Sequence, residues 1–339
     1  MNILHICPHM GGGIGTVIMG WMDKLDVSQK PLVAALDTVN KKAAQQLTKA
    51  TIPWCEMMRA ESLQESLMGA IKASDIVLVH YCDHPMLAEL FSKPLPPCRL
   101  AFWVHKHFKI SEKEVAYPDR CIGTSPIQHL PDYIWSTGGV DRFLDIKPKE
   151  HKGFNIGYVG TCDYKKLHPE FLLMCHKIAL AIPEARFTIV GEDNISSNIR
   201  LPWVDSDHRL TFTGKVDDVA PYLAEMDVFG YPLRPDNYGT SEQVLGEAMA
   251  AGVVPVVMDN PCERRIVTNF FDGYIAGSPE MYVSLIESFY LKTAFGREVI
   301  AHNAKQRAAE LYSLDTMIQQ WDDVFESMMD KPKTERGVI

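Results

Sequence analysis

The 339-residue chain has no Cys-x-x-Cys pair, no low-complexity tract, no short-period repeat and no apolar run near the roughly 20 residues that span a bilayer. These absences exclude a zinc-ribbon or disulfide framework, a fibrous or solenoid architecture and a helical membrane protein. Basic residues are also scarce: 34 Lys and Arg stand against 43 Asp and Glu, for a formal net charge of −9. The acidic excess lies after residue 150. Such a balance argues against nucleic acid as a partner, while leaving room for an anionic small ligand held by local backbone amides. The eight cysteines, at 7, 55, 82, 98, 121, 162, 175 and 262, are scattered and several sit in apolar runs. They read as buried thiols of a reducing compartment. The first residues enter a strand directly, without the charged-then-apolar layout of a signal peptide, so a cytoplasmic location is expected.

Short apolar strands alternate with helical stretches along the whole chain. Ile3 to Cys7, Pro31 to Leu36, Asp75 to Tyr81, Arg99 to His105 and Arg120 to Gly123 read as strands, with a helix from about Thr16 to Leu25. Residues 145–153 are charged and turn-prone, which marks a linker. The pattern then restarts at Phe154 to Gly160, with a helix from about Pro169 to Ile182 and strands at Arg186 to Gly191, Leu210 to Thr213, Val228 to Tyr231 and Val253 to Val257. Continuous apolar strands separated by helices indicate parallel sheets covered on both faces. Two such halves imply a cleft, with ligands beyond the C-terminal strand ends. Ala301 to Met329 reads as one long packing helix.

The densest chemistry lies between Asn237 and Val257. A turn-rich loop becomes a helix with Thr240 or Ser241 as its cap, then a Gly252 break and a short strand. The N–H groups and partial positive charge of that helix end suit a phosphate. Glu242 and Glu247 are five residues apart and cannot share one helical face. The segment can hold a diphosphate at its mouth and a sugar hydroxyl deeper down; an ordinary capped helix on a sheet is the other reading. Gly11-Gly-Gly-Ile-Gly15 follows the first strand, but Gly-x-Gly-x-x-Gly fails: the last position is Thr16 counted from Gly11 and Ile18 counted from Gly13. The loop is therefore either a close backbone approach to a ligand or a tight strand–helix turn, and Asp37 near the second strand's end does not rescue a dinucleotide reading. His105 ends a strand where it can meet a substrate or serve structurally, and His80 and His84 share that ambiguity. Lys165 and Lys166 follow the second half's first strand, as diphosphate ligands or as a solvated pair.

Taken in order, these segments resemble the retaining nucleotide-sugar glycosyltransferases of the GT-B fold, in the GT4-like (glycosyltransferase group 1) family. The resemblance is carried by the Gly-Gly-Gly-Ile-Gly loop, His105, Ser136-Thr-Gly-Gly-Val-Asp141, Gly157-Tyr-Val-Gly160, Phe187 to Glu192, Phe212-Thr-Gly-Lys-Val216 and Glu247 to Val257. It implies two Rossmann-like α/β/α domains facing each other across a cleft. The expected acceptor-side domain is 1–148, completed by the C-terminal helix at about 313–335, and the donor domain is 149–312. By the same resemblance Glu247 binds the ribose, the backbone of Ser241, Gln243 and Val244 holds the diphosphate, and Lys166 offsets its charge. His105 lies near the transferred sugar, Gly13 and Gly15 approach donor and acceptor, and Gly214 lies where the base is contacted.

Two departures stand out. Eight positions before Glu247, where the family carries a paired glutamate, this chain has Gly239, leaving Glu242 or Asp236 to supply the acid. The arginine that precedes the family's lysine is replaced by Thr161. The implied function is metal-independent hexosyl transfer from a nucleoside-diphosphate sugar, without a cofactor, to a glycan, lipid-linked or small-molecule hydroxyl, as in polysaccharide biosynthesis. Trp54, Met57 and Met58 lie in the acceptor half, and a lipid-linked acceptor would bring peripheral membrane contact. The alternatives are a nucleotide-sugar epimerase of the same fold and a non-catalytic binding or scaffold protein.

Overall fold

The computed structural model describes residues 1–26, 30–37, 39, 41–49, 51, 54–56, 61–106, 110–192, 194 and 209–339. The chain divides into two compact units, Met1–Gly139 with Tyr312–Ile339, and Val140–Leu311.

In the first unit the strands are β1 (Ile3–Cys7), β2 (Leu32–Ala35), β3 (Trp54–Glu56), β4 (Ile76–Tyr81), β5 (Leu95–Cys98), β6 (Leu100–Val104), β7 (Arg120–Gly123) and β8 (Asp132–Tyr133). Among the described residues seven form a parallel sheet in the order β3-β2-β1-β4-β6-β7-β8, while β5 pairs antiparallel with the terminal strand Thr334–Arg336. Alternate residues face opposite layers, as strand geometry requires. Leu4, Ile6, Val77, Val79 and Phe102 pack one way; Cys7, Leu78 and Trp103 pack the other. The second face is closed by the helices Gly12–Lys24 and Leu314–Met329, with Trp21 stacked on Phe325 at 6.2 Å between centroids.

The tail expected as one helix is two, Ala294–Leu311 and Leu314–Met329. Ser313 leaves the helical conformation and its hydroxyl accepts from the Thr316 amide, so it caps a new helix instead of continuing the old one. Leu314, Met317, Trp321, Phe325 and Met328 of that helix are buried, each stabilising by about 1.5–3 kcal/mol. The helix expected from Thr16 begins at Gly12, because Gly11 takes the extended cap position. No described helix is long and apolar enough to cross a membrane.

The second unit carries β9 (Phe154–Val159), β10 (Ala185–Val190), β11 (Leu210–Gly214), β12 (Val228–Tyr231), β13 (Val254–Met258) and β14 (Tyr274–Ala276). They form a parallel sheet ordered β11-β10-β9-β12-β13-β14. Strand order reverses between β9 and β12, the position at which such sheets open a ligand site beyond their carboxyl ends. Three neighbouring strands, β9, β10 and β11, run out into glycines with positive φ: Gly160 at 144°, Gly191 at 136° and Gly214 at 70°. A Cβ on Gly191 would stand 2.0 Å from the Gly160 carbonyl, so this rim requires bare backbone.

Candidate functional site

Beyond the ends of β9 and β12 the chain builds a charged cluster. The loop after β9 is tied to the loop after β12: His168 donates its amide to the Pro232 carbonyl at 2.8 Å, and Arg234 donates its amide to the Lys166 carbonyl at 3.0 Å. Lys166 is thereby aimed inward, and its Nζ lies 3.0 Å from Glu242 Oε2. The Tyr231 hydroxyl, at the end of β12, donates to the same carboxylate oxygen. The Glu242 side chain is 2% exposed and that of Lys166 14%. Burying an ion pair is tolerable only when each charge is well bonded, and here the carboxylate has a cation and a phenol.

The helix that follows is Gln243–Ala250, and its cap residue is Glu242, not Thr240 or Ser241. Glu242 sits in the left-handed region at φ 39°, ψ 57°, and its side chain makes no cap bond. The reason is geometric: the side chain turns inward to reach Lys166 and Tyr231, so it cannot also cap the helix. Such a conformation in a residue other than glycine costs about 1–3 kcal/mol and persists only where surrounding contacts impose it. Gly239 completes the arrangement. A Cβ at residue 239 would stand 1.4 Å from Glu242 Oε1, so the Glu242 carboxylate occupies the space that a side chain at 239 would need. Asp236, the other candidate acid, is exposed and paired with Arg234.

The electrostatics are layered. Burial pulls the Lys166 ammonium down, but the Glu242 charge and hydrogen bond outweigh it and leave its pKa raised. Burial, then the neighbouring Glu242 charge, pushes the Tyr231 phenol up, so it remains a donor. Glu263 is fully buried, and burial together with the Glu242 charge raises its carboxyl above the usual range; Asn260 Nδ2 donates to its Oε1 at 3.0 Å. Glu247 lies one turn into the helix, accepting from Gln243 Nε2 at 3.2 Å, and burial lifts its carboxyl to about 7.

Lys166 and Glu242 thus meet directly, and Gln243 and Glu247 share a hydrogen bond. Ser241 and Val244 flank the helix start, both half-buried. Gly214 ends β11, and among the described residues nothing lies within 4 Å of a Cβ built there. Lys165 is exposed, its amide donating to Asp163 Oδ1 at 2.8 Å. Thr161, at the expected arginine position, accepts through its carbonyl from the Tyr158 hydroxyl at 2.9 Å.

His105, Gly13 and Gly15 belong to the other unit. A Cβ on Gly15 would stand 3.0 Å from the Met10 carbonyl carbon, whereas among the described residues nothing lies within 4 Å of a Cβ on Gly13. His105 follows β6, with Nε2 3.2 Å from His80 Nδ1. Burial lowers its pKa to about 3, leaving a neutral ring. Trp54 pairs into the sheet edge as part of β3, while Met57 and Met58 lie outside the described residues.

Sequence reasoning missed four members of the cluster. Tyr231 entered only as the end of a strand, and Glu263, in the short run Cys262-Glu-Arg-Arg265, was not singled out. Arg234 brings a second cation beside the Lys166 loop, bonding the Tyr164 carbonyl at 3.0 Å. Tyr238 is half-exposed, and Lys166 Nζ lies 5.8 Å from its ring and 5.3 Å from that of Tyr231. The signal available was position: Tyr231 and Arg234 stand at and just after a strand end, where sites of parallel sheets gather.

Residues 153–290, which contain the whole of this cluster, match the family model for Glycosyl transferases group 1. Solved structures similar to the chain include glycosyltransferases. HepE from Anabaena in complex with UDP and glucose is 15% identical, with a TM-score of 0.74 over 96% of this chain and 100% of that one. A glycosyltransferase from Rickettsia africae ESF-5 is 13% identical, with a TM-score of 0.76 over 97% and 99%. The lipopolysaccharide outer core galactosyltransferase WaaB, in its apo form, is 15% identical, with a TM-score of 0.67 over 96% and 100%. These likenesses, with two parallel-sheet α/β units, give the chain the GT-B fold. No curated protein matches it significantly in sequence.

Proposed function

We propose that the protein is a retaining glycosyltransferase that moves a sugar from a nucleoside-diphosphate sugar to an acceptor hydroxyl. The observation that carries this reading is the Lys166–Glu242–Tyr231 cluster at the strand-order reversal of the group 1 glycosyltransferase region. Bond breaking at the anomeric carbon sends negative charge onto the departing diphosphate. Lys166 has three donors and gives one to Glu242, so others remain for a phosphate oxygen. The amides that open the Gln243–Ala250 helix, beside Ser241 and Val244, add a second source of positive potential. Glu242 supplies the carboxylate that Gly239 does not, from three positions later in the chain. Glu247 accepts hydrogen bonds from the ribose hydroxyls, Gly214 lines the base site, and His105 contacts the sugar. Attack of the acceptor on the face the diphosphate leaves retains configuration. The positive charge comes from lysine and backbone, so the reading assigns no role to a divalent metal.

The test is transfer from a panel of UDP-, GDP- and ADP-sugars with and without EDTA, starting with UDP-glucose because Anabaena HepE binds it. Transfer or slow donor hydrolysis, unaffected by EDTA, is expected. Interconversion of two nucleotide sugars without an acceptor would make the protein an epimerase instead. Absence of nucleoside-diphosphate binding by calorimetry would leave a scaffold role. Glu247→Ala is expected to weaken nucleoside-diphosphate binding about tenfold, the loss of about one charged hydrogen bond.

A further inference from the structure

Three histidines form a file through the core of the first unit. His5 on β1 and His80 on β4 are fully buried, and His105 follows β6 and is partly exposed. His5 Nδ1 lies 3.1 Å from His80 Nε2, and His80 Nδ1 lies 3.2 Å from His105 Nε2. The rings sit on the aromatic face of the sheet. Trp21 meets His5 edge-to-face at 5.0 Å, and Trp103 lies 5.6 Å from His80 and 5.0 Å from His105. Two imidazoles in such a layer are a poor choice for stability alone, since an aliphatic side chain fills the space without a polar group to satisfy. Burial lowers the pKa of all three, so they are neutral rings carrying one N–H each.

Each of the two hydrogen bonds in the file holds one proton, so the file has only two orders. In one, every ring carries its proton on Nδ1: His5 donates to His80, His80 donates to His105, and His105 Nδ1–H is left for a ligand. In the other, every ring carries it on Nε2, and the last N–H is His5 Nε2. Among the described residues that nitrogen is buried with no hydrogen-bond partner. A buried N–H without an acceptor is rarer in proteins than an acceptor without a donor, so the first order is favoured.

We propose that His80, backed by His5, is a positioning residue that fixes His105 as its Nδ1–H tautomer and presents it as a permanent hydrogen-bond donor at the end of β6. The device works because a neutral histidine free to exchange tautomers would offer a donor only part of the time, whereas a neighbour's N–H on Nε2 removes the choice. The benefit to sugar transfer rests on the glycosyltransferase reading; the tautomer assignment does not.

Long-range proton–nitrogen correlation spectra of the uniformly labelled full chain read the tautomers directly. The expected spectrum has His105 protonated at Nδ1 and bare at Nε2, unchanged from pH 6 to 8. In His80→Leu, His105 is expected to become a mixture or to move to Nε2–H. Turnover with the best donor should fall about tenfold, with donor KM within about twofold. His80→Asn, whose amide can donate from near the Nδ1 position, should restore the Nδ1–H form and part of the turnover. A wild-type His105 protonated at Nε2 would overturn the proposal, as would a folded His80→Leu protein with an unaltered His105 tautomer. If His80→Leu does not fold, the wild-type and His80→Asn spectra decide. If no sugar is transferred by the wild type, the spectra still decide the tautomer and only the transfer reading fails.

Discussion

Replacing Gly239 with alanine is the sharpest probe of the Glu242 site. Gly239 has no positive φ, so its backbone accepts a side chain, and elsewhere such a change stabilises by about 0.4–1 kcal/mol through the unfolded chain. Here the added Cβ would lie 1.4 Å from Glu242 Oε1 and 2.5 Å from its Cδ. Restoring ordinary contact, 3.4 Å or more, moves the carboxyl by about 2 Å. A shift of that size breaks the 3.0 Å bond to Lys166 and the bond from Tyr231. Two hydrogen bonds to a charged group at about 1.5–3 kcal/mol each, less partial relaxation, give an expected loss of about 2–4 kcal/mol. Glu242→Ala alone strands the Lys166 charge and should cost about 3–5 kcal/mol. The double variant has no carboxylate left to displace, so it should be no less stable than Glu242→Ala. The expected coupling is therefore about 2–4 kcal/mol, far from additive. Five of the six tryptophans, Trp21, Trp54, Trp103, Trp135 and Trp321, lie in the first unit and only Trp203 falls within the second, so fluorescence reports mainly on the wrong unit. Hydrogen exchange of the β12 amides in the second unit is the suitable measurement. Additive effects, or a Gly239→Ala change within about 0.5 kcal/mol of wild type, would show that the carboxylate does not fill that space.

Two further predictions concern protons. The Glu247 carboxyl, lifted from 4.5 to about 7 by burial, is about half protonated at neutral pH, whereas ribose hydroxyls are best held by the carboxylate. Nucleoside-diphosphate affinity should therefore rise between pH 6 and 8, by up to about tenfold per pH unit below the pKa, with proton release on binding. Calorimetry in buffers of different ionisation heat checks this, and Glu247→Gln should abolish the release. The second concerns His5, whose pKa burial lowers from 6.5 to about 3. The unfolded chain binds a proton there before the folded one does, so stability present above pH 6.5 is lost as pH falls towards 3. The slope is up to about 1.4 kcal/mol per pH unit. His5→Leu should flatten the pH dependence of urea unfolding, followed by tryptophan fluorescence, by that amount; an unchanged slope would contradict a neutral buried His5.

Runs such as Ile3–Cys7 and Val228–Tyr231 were legible because a strand buried on both faces must be apolar throughout, and such runs separated by helices permit few architectures other than parallel α/β sheets. Lys166 and Glu247 could be singled out because each stands just past a strand or just inside a helix, where local order alone predicts exposure to a ligand. The short edge strands β3, β8 and β14 were not legible, since two or three residues carry no readable period. Nor was the break at Ser313, where one hydroxyl overrides a continuous helical pattern.

The order of elements and the family likeness are thus properties of the sequence itself, because periodicity and turn chemistry are local. The place of the Glu242 carboxylate is not. It depends on a left-handed backbone at 242, a side chain missing at 239, and a lysine and a tyrosine brought from 76 and 11 residues away. The histidine file likewise joins residues 75 and 25 positions apart, on β1, on β4 and just past β6. Charges and imidazoles interact through space over a few ångströms, so only the folded sheet could decide which of them meet.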